Sequence, residues 1–270
     1  MISYAERVTN HAVLALISLL VIFPVAWFVL AALSPNKSGA IDLGNLDWGN
    51  FATAWQLGSF GPAMVASAVI TIGAVIGQTV LALLSGYGFG VLGVVGEKVI
   101  FPVILLGLMI SSEAFIIPLY YEFQSIGLTN TWTGLILVQI GMGVPFGAFW
   151  MRATFRAVPR SLVEAAKLDG AHSWRILWSV LVPISRPSIF TLMLLSFMWT
   201  WNDFFLSLVF IADPAKQPVT LALGVFQGVH TVDVNLMAAG SLIVALPVLL
   251  LYIFFQRQFL HGVINGALRE

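Results

Sequence analysis

EAAKLDGAHSWRILWSVLVP, residues 164–183, is a polar, alanine-rich run set between two long apolar stretches. Pro159 suits the first turn of a helix, where its missing N–H is not needed, and RSLVEAAKL (160–168) continues that helix with good formers. Asp169-Gly170 ends it, because glycine readily takes the left-handed conformation at a helix C-terminus. Ser173 is placed to cap a second helix, WRILWSVLV, which runs until Pro183 interrupts it. Three- and four-residue spacing puts Leu162, Ala165 and Ala166 on one face of the first helix, Asp169 continues that face, and Glu164 offers a charge. The alanines let another backbone approach closely, as in a helix held in a groove. A helix resting on lipid headgroups beside its neighbouring arginines fits the same residues.

The rest of the chain explains why such a segment stands out. Of its 270 residues, 59% are hydrophobic and only 9% are charged, and the mean hydropathy is +0.97. A soluble domain carries about a quarter charged residues, so this composition describes a polytopic membrane protein whose outer surface is covered by lipid. The net charge of zero says nothing about nucleic acid. The absence of cysteine excludes disulfides, thiolate metal sites and cysteine nucleophiles.

Six apolar stretches are long enough to span, near 11–33, 63–85, 99–121, 132–151, 187–211 and 237–256. The expectation is therefore an all-α, six-span membrane protein forming a single transmembrane domain over 1–270. The first stretch follows Arg7 but runs from Ala12 to Leu33, too long for a signal-peptide core of about 7–15 residues, and reads as a retained span. Internal Pro24, Pro118, Pro145 and Pro247 imply kinks rather than breaks in the assignment. Alternate connections divide the Lys and Arg residues ten against two. Arg7, Lys98, Arg152, Arg156, Arg160, Lys167, Arg175, Arg186, Arg257 and Arg269 fall on one side, and Lys37 and Lys216 on the other. By the positive-inside rule both termini and the 152–186 loop are cytoplasmic, while 34–62, 122–131 and 212–236 face outward.

With that placement, the opening stretch resembles the EAA loop of ABC importer permeases. Glu164, Ala165 and Ala166 open the pattern, Gly170 takes its turn, and Val180, Val182 and Pro183 close it. FRAVPRSL upstream and ISRP downstream match as well, while Leu177 stands where many relatives carry Phe. Three more stretches resemble the carbohydrate permeases of the maltose type: 116–137, FMWTWNDFFLSLVFI (197–211) and the tail 245–268 with Gly262, Gly266 and Ala267. The resemblance implies the type I importer fold in a bacterial or archaeal inner membrane. It also implies a coupling role for Glu164, Ala165, Ala166, Asp169, Gly170, Ala171 and Pro183, held in a cleft of a cytoplasmic ATPase. Further implied are a second related permease, two ATPase subunits carrying ATP and Mg, an extracytoplasmic solute-binding protein, and a sugar or polyol as cargo.

Chemistry elsewhere is sparse. Glu113, Glu122 and Asp203 are the acids in or near spans, and an ionisable group at membrane depth is a candidate for a pathway or a helix network. Asn202 and Asp203 read as helix packing or as lining of a route, and Glu113 is open between the same two roles. Gln78 and Gln139 read as interhelical hydrogen bonders, and Trp48, Trp55 and Trp132 as interface anchors. His11, His172, His230 and His261 have no metal-ligand spacing. Ser241 lacks a nucleophile-elbow setting. There is no phosphate-cradling Gly-rich motif with Lys-Ser/Thr, so no cofactor is expected on this chain and the ATP site belongs to partners. The competing class is an autonomous secondary carrier with Glu113 or Asp203 as its ion site.

Overall fold

The computed structural model describes residues 4–228 and 232–267, with side chains through Gln256 apart from those of Tyr4, Ala5, Val8 and Ser112. Gly262, Gly266, Ala267, His230 and His261 therefore lie outside the fully described residues. Helices dominate, and among the described residues the one β contact is an isolated bridge between Gln227 and Val232. The chain divides into two compact units, Met1–Gly61 with Ala222–Pro247 and Pro62–Leu221 with Val248–Glu270.

In the first unit, α1 (Tyr4–Ala32) presents an apolar surface to its surroundings along its length, residues 11–27 being exposed throughout. Its C-terminal end is tied down by a buried polar knot. The Asn50 amide donates to the carbonyls of Ala32 (3.0 Å) and Ser34 (2.8 Å), and Asn235 donates to the Ser34 carbonyl at 3.3 Å. Asn50 lies in α2 (Gly49–Leu57), and Asn235 opens the last helix, which runs Val234–Ala267. Satisfying the last carbonyls of a helix with side-chain amides is what burial of a helix end demands.

The second unit is built on α3 (Phe60–Tyr87), extended by a π turn (Gly88–Leu92), and on α6 (Trp132–Arg156). Thr131 caps α6 by accepting from the Gly134 N–H at 3.0 Å. The two helices cross closely because small residues meet. A Cβ at Gly143 would lie 2.7 Å from Cγ of Gln78, and one at Gly147 would lie 2.8 Å from Cβ of Ala82. At the same crossing Gln78 Nε2 donates to the Gln139 carbonyl at 2.8 Å, so Gln78 bonds between helices as its position suggested.

Four helices are long and apolar enough to cross a membrane, Thr9–Ala32, Phe60–Leu92, Trp132–Arg156 and Val234–Gln256. Two of the six expected spans are not single helices. The 99–121 stretch is α4 (Glu97–Leu106) and α5 (Ser112–Ser125), with a break between them. Gly107 sits at that break because a Cβ there would be 2.7 Å from the Pro145 ring, and Ser111, whose hydroxyl donates to Glu113, takes the cap position of α5. The 187–211 stretch is α10 (Arg186–Trp201) followed by α11 (Phe205–Phe210). Counting α10 and the helical arm before it, which bends from it by 82°, gives a fifth candidate crossing.

Candidate coupling site

The loop after α6 folds as an ordered, packed structure. Val158 is buried and Pro159 takes the N-cap position, one residue outside α7 (Arg160–Leu168) rather than within its first turn. The helix ends in the expected glycine turn. Gly170 has φ +78°, its N–H donates to the Lys167 carbonyl at 3.0 Å, and the Ala171 N–H donates to the Ala166 carbonyl at 2.9 Å. That pair of bonds is the Schellman arrangement, and it sends the chain back against α7.

The next helix differs from expectation at both ends. His172 takes the cap position, and Ser173 opens α8 (Ser173–Ile176). Pro183 does not stop the helix: a π turn (Leu177–Leu181) leads into α9 (Val182–Ile184), and the break falls at Ser185. The wider turn keeps the Pro183 ring clear of the Ser179 carbonyl, to which it has no N–H to give.

One buried cluster holds all of this. Tyr87 from α3, Met151 and Phe155 from α6, Val163 from α7, Ile176, Leu177 and Leu181 from the arm, and Leu192 from α10 pack together. Ala166 and Ala171 are half-buried against the same cluster. Ala166 therefore faces the chain's own core, not the outward face with Leu162 and Ala165. Leu177 is 1% exposed and fills this core, so the leucine in place of phenylalanine is an internal packing residue. The outward face of α7 comprises Leu162, Ala165, Leu168 and Asp169, all exposed, with Leu168 at 89%.

Beside α7 lies an open cavity of about 580 Å³, bordered by Glu97, Arg156, Arg160, Glu164 and Lys167. Glu97 was not singled out in the sequence. Its Oε1 accepts from Nη2 of Arg152 at 2.5 Å and from Nη2 of Arg156 at 2.6 Å, and both guanidiniums also reach the Phe89 carbonyl at 3.3 Å. The Arg152 guanidinium lies 4.0 Å from the centre of the Phe101 ring. The Arg152 hydrogen bond holds the Glu97 carboxyl below its ordinary 4.5; desolvation opposes that shift, and the charge of Arg156 adds to it. One signal could have found it: Glu97 is the sole acid between Asp47 and Glu113, in the connection grouped with Arg152 and Arg156. Glu164 makes no salt bridge among the described residues, although Arg160 and Lys167 are one turn away on either side.

The remaining candidates sit at helix breaks. Asp203 Oδ2 accepts from the Ser207 N–H at 3.0 Å and the Ser207 hydroxyl at 2.8 Å, which anchors the start of α11. Its carbonyl accepts from the Thr220 hydroxyl at 2.9 Å, and Asn202 donates to the Met198 carbonyl at 2.8 Å. Glu113, exposed in the first turn of α5, accepts from the Ser111 hydroxyl. Trp132 donates to the Lys216 carbonyl at 2.9 Å, clamping the 213–216 turn to the start of α6.

A family model for the inner membrane component of binding-protein-dependent transport systems matches residues 78–261, the stretch that holds both the α3–α6 crossing and the α7 arm. The chain belongs to this family. Family membership decides between the two classes the sequence left open, in favour of an importer subunit over an autonomous carrier. Among relatives of this inner membrane component, the diacetylchitobiose uptake system permease protein of Streptomyces coelicolor is 30% identical, over 96% of this chain and 88% of its own. The trehalose transport system permease protein SugB of Mycobacterium tuberculosis is 29% identical, over 98% and 99%. A crystal structure of a bacterial ABC transporter involved in the import of the acidic polysaccharide alginate has a chain with the same fold. Its TM-score is 0.83 at 20% identity, covering 96% of this chain and 99% of that one.

Proposed function

We propose that this chain is one of two related membrane subunits of a saccharide importer, with both termini and the 152–186 loop in the cytoplasm. A solute-binding protein delivers cargo from outside, and separate ATPase subunits holding ATP and Mg supply the energy. The observation that carries the reading is α7: an ordered helix whose outer face is exposed and whose Glu164 has no ion pair among the described residues, on an arm packed into the ends of three apolar helices. The family supports dependence on a binding protein. The diacetylchitobiose and trehalose relatives support a saccharide as cargo.

In this mechanism the ATPase grips Leu162, Ala165, Leu168 and Asp169, and Glu164 pairs with a cation of that partner. Gly170 and Ala171 hold the turn, while Ala166 and Pro183 keep the arm seated. Because Val163, Ala166, Ile176 and Leu177 are packed together with residues of α3, α6 and α10, displacement of α7 displaces those helices as a body. This chain carries no Gly-rich nucleotide cradle of its own, in keeping with a subunit driven by its partners. Glu113 and Asn202, both exposed at helix breaks, are the polar groups assigned to the route, and Asp203 braces the second break. Tagged chain drawn from native membranes in mild detergent should bring down an ATPase, a second permease and a binding protein. Recovery of this chain alone, under conditions that preserve a known transporter complex, would overturn the assignment.

A further inference from the structure

The arm between α7 and α10 carries a surface that the coupling role does not use. Over Ser173–Ile184 the inward residues Ile176, Leu177 and Leu181 are at most 1% exposed, while Trp174 is 54% exposed, Trp178 45% and Ile184 50%. The other tryptophans with settled partners behave differently. Trp132 donates to the Lys216 carbonyl and Trp150 to the Ser188 carbonyl, both at 2.9 Å. Trp174 and Trp178 make no such bond among the described residues, and about half of each is exposed. Arg175 lies between them in sequence and Arg186 opens α10 just past the bend; both are exposed and make no salt bridge among the described residues. No acid occurs from Gly170 to Asn202.

Geometry fixes the level at which this surface sits. The arm bends from α10 by 82° at Ser185. Transmembrane helices tilt about 20° on average, so with α10 crossing, the arm lies within about 30° of the membrane plane. It begins where the apolar helix ends, so its height is that of the boundary between hydrocarbon and water. Tryptophans with an apolar ring and a free N–H favour that layer, and arginines beside them favour anionic headgroups.

We propose that Ser173–Ile184 is an in-plane membrane anchor. Trp174 and Trp178 are set in the headgroup layer, and Arg175 and Arg186 pair with anionic lipid phosphates. The proposal rests on α10, continued by α11, being the span over 187–211, as the importer assignment requires, with Ser173–Ile184 outside the crossing. It gives the coupling arm a second support: its inner face is seated on the protein core and its outer face on lipid, so α7 is presented at a fixed depth.

The chain has no cysteine, so none of its own residues competes with a single label placed on it. Nitroxides at Trp174→Cys, Trp178→Cys and Phe190→Cys in the assembled importer, in nanodiscs containing anionic lipid, report depth through collision with oxygen and with a water-soluble nickel chelate. Leu168→Cys, read only after the ATPase is stripped away and its face of α7 uncovered, gives the water reference. The 174 and 178 labels should show an oxygen-to-nickel ratio several-fold above that reference and below that at 190, with the ATPase bound or stripped away. A ratio equal to the reference would overturn the anchor. Protection that appears only with the ATPase bound would overturn it too, by making this face a protein contact. If 190 itself reads as water-exposed, it is the importer assignment that fails. A second readout spares the arm's packing: quenching of tryptophan fluorescence by lipids brominated near the headgroup should fall in the Trp174→Phe, Trp178→Phe double variant. Undiminished quenching counts against the anchor.

Discussion

Glu97 and Glu164 border the same cavity, yet Glu97 is gripped by two guanidiniums and Glu164 has no ion pair among the described residues. Glu97 closes a connection between α4 and the end of α6, and its charge is consumed inside the chain. Glu164 stands between Arg160 and Lys167 and bonds neither. Pairs of exposed side chains are worth about 0–1 kcal/mol, so turning Glu164 toward a partner subunit sacrifices little. One carboxylate is a fastening; the other, on the proposed docking, is left for the ATPase.

The largest effect that separates them should come from Glu164→Lys. It reverses the charge offered to the ATPase and should abolish uptake while the chain remains in the membrane at normal level. The milder Glu164→Gln should weaken docking roughly ten- to a hundredfold, the value of a hydrogen bond to a charged group, about 1.5–3 kcal/mol. Transport and ATPase assays in proteoliposomes check both. Unchanged uptake in Glu164→Lys would make the contrast with Glu97 meaningless.

Leu177→Ala empties a site in the core beneath the arm and should cost about 2–5 kcal/mol, read as a lower unfolding temperature of the purified complex. On the proposed coupling, uptake per assembled complex should fall as well, because the arm is no longer seated firmly on the core. Gly170→Ala is smaller. Nothing lies within 4 Å of the added carbon, so the cost is the left-handed backbone alone, about 1 kcal/mol. The smallest effect is the pH dependence of Glu97. Its carboxyl is held below 4.5, so its contribution is fully present above that value and is lost as pH falls through the lower folded value. Thermal unfolding followed from neutral to acid pH should show this loss in the native chain and not in Glu97→Gln.

Much of this was legible in the residues themselves. Composition and apolar runs gave an all-α membrane chain, and Asp169-Gly170 gave the end of α7, because only a left-handed glycine closes that turn cheaply. The breaks at Gly107 and at Asn202–Phe204 were not legible. Hydropathy averages over a window, and a single glycine pressed on a proline ring, or one carboxylate bonded to Ser207, leaves the average unchanged. The same limit hid the orientation of Ala166. Two adjacent alanines differ by 100° around the helix axis, and which of them faces inward is decided by the buried cluster beneath α7, which draws Tyr87 and Leu192 from far along the chain. Glu97 escaped notice because its partners lie 55 and 59 residues away.

The crossing where Gly143 and Gly147 meet Gln78 and Ala82 has a mechanical corollary. A joint without clearance has no backlash, so α3 and α6 behave as one stiff strut, and the compliance of this unit is concentrated at the two breaks. The 25 residues of α6 make a rod about 37 Å long at 1.5 Å per residue. Tilting that rod at its Arg156 end moves the Trp132 end by about 0.65 Å per degree. On the proposed coupling, a swing of about ten degrees at α7 would become a stroke of about 6 Å at the opposite end of the strut.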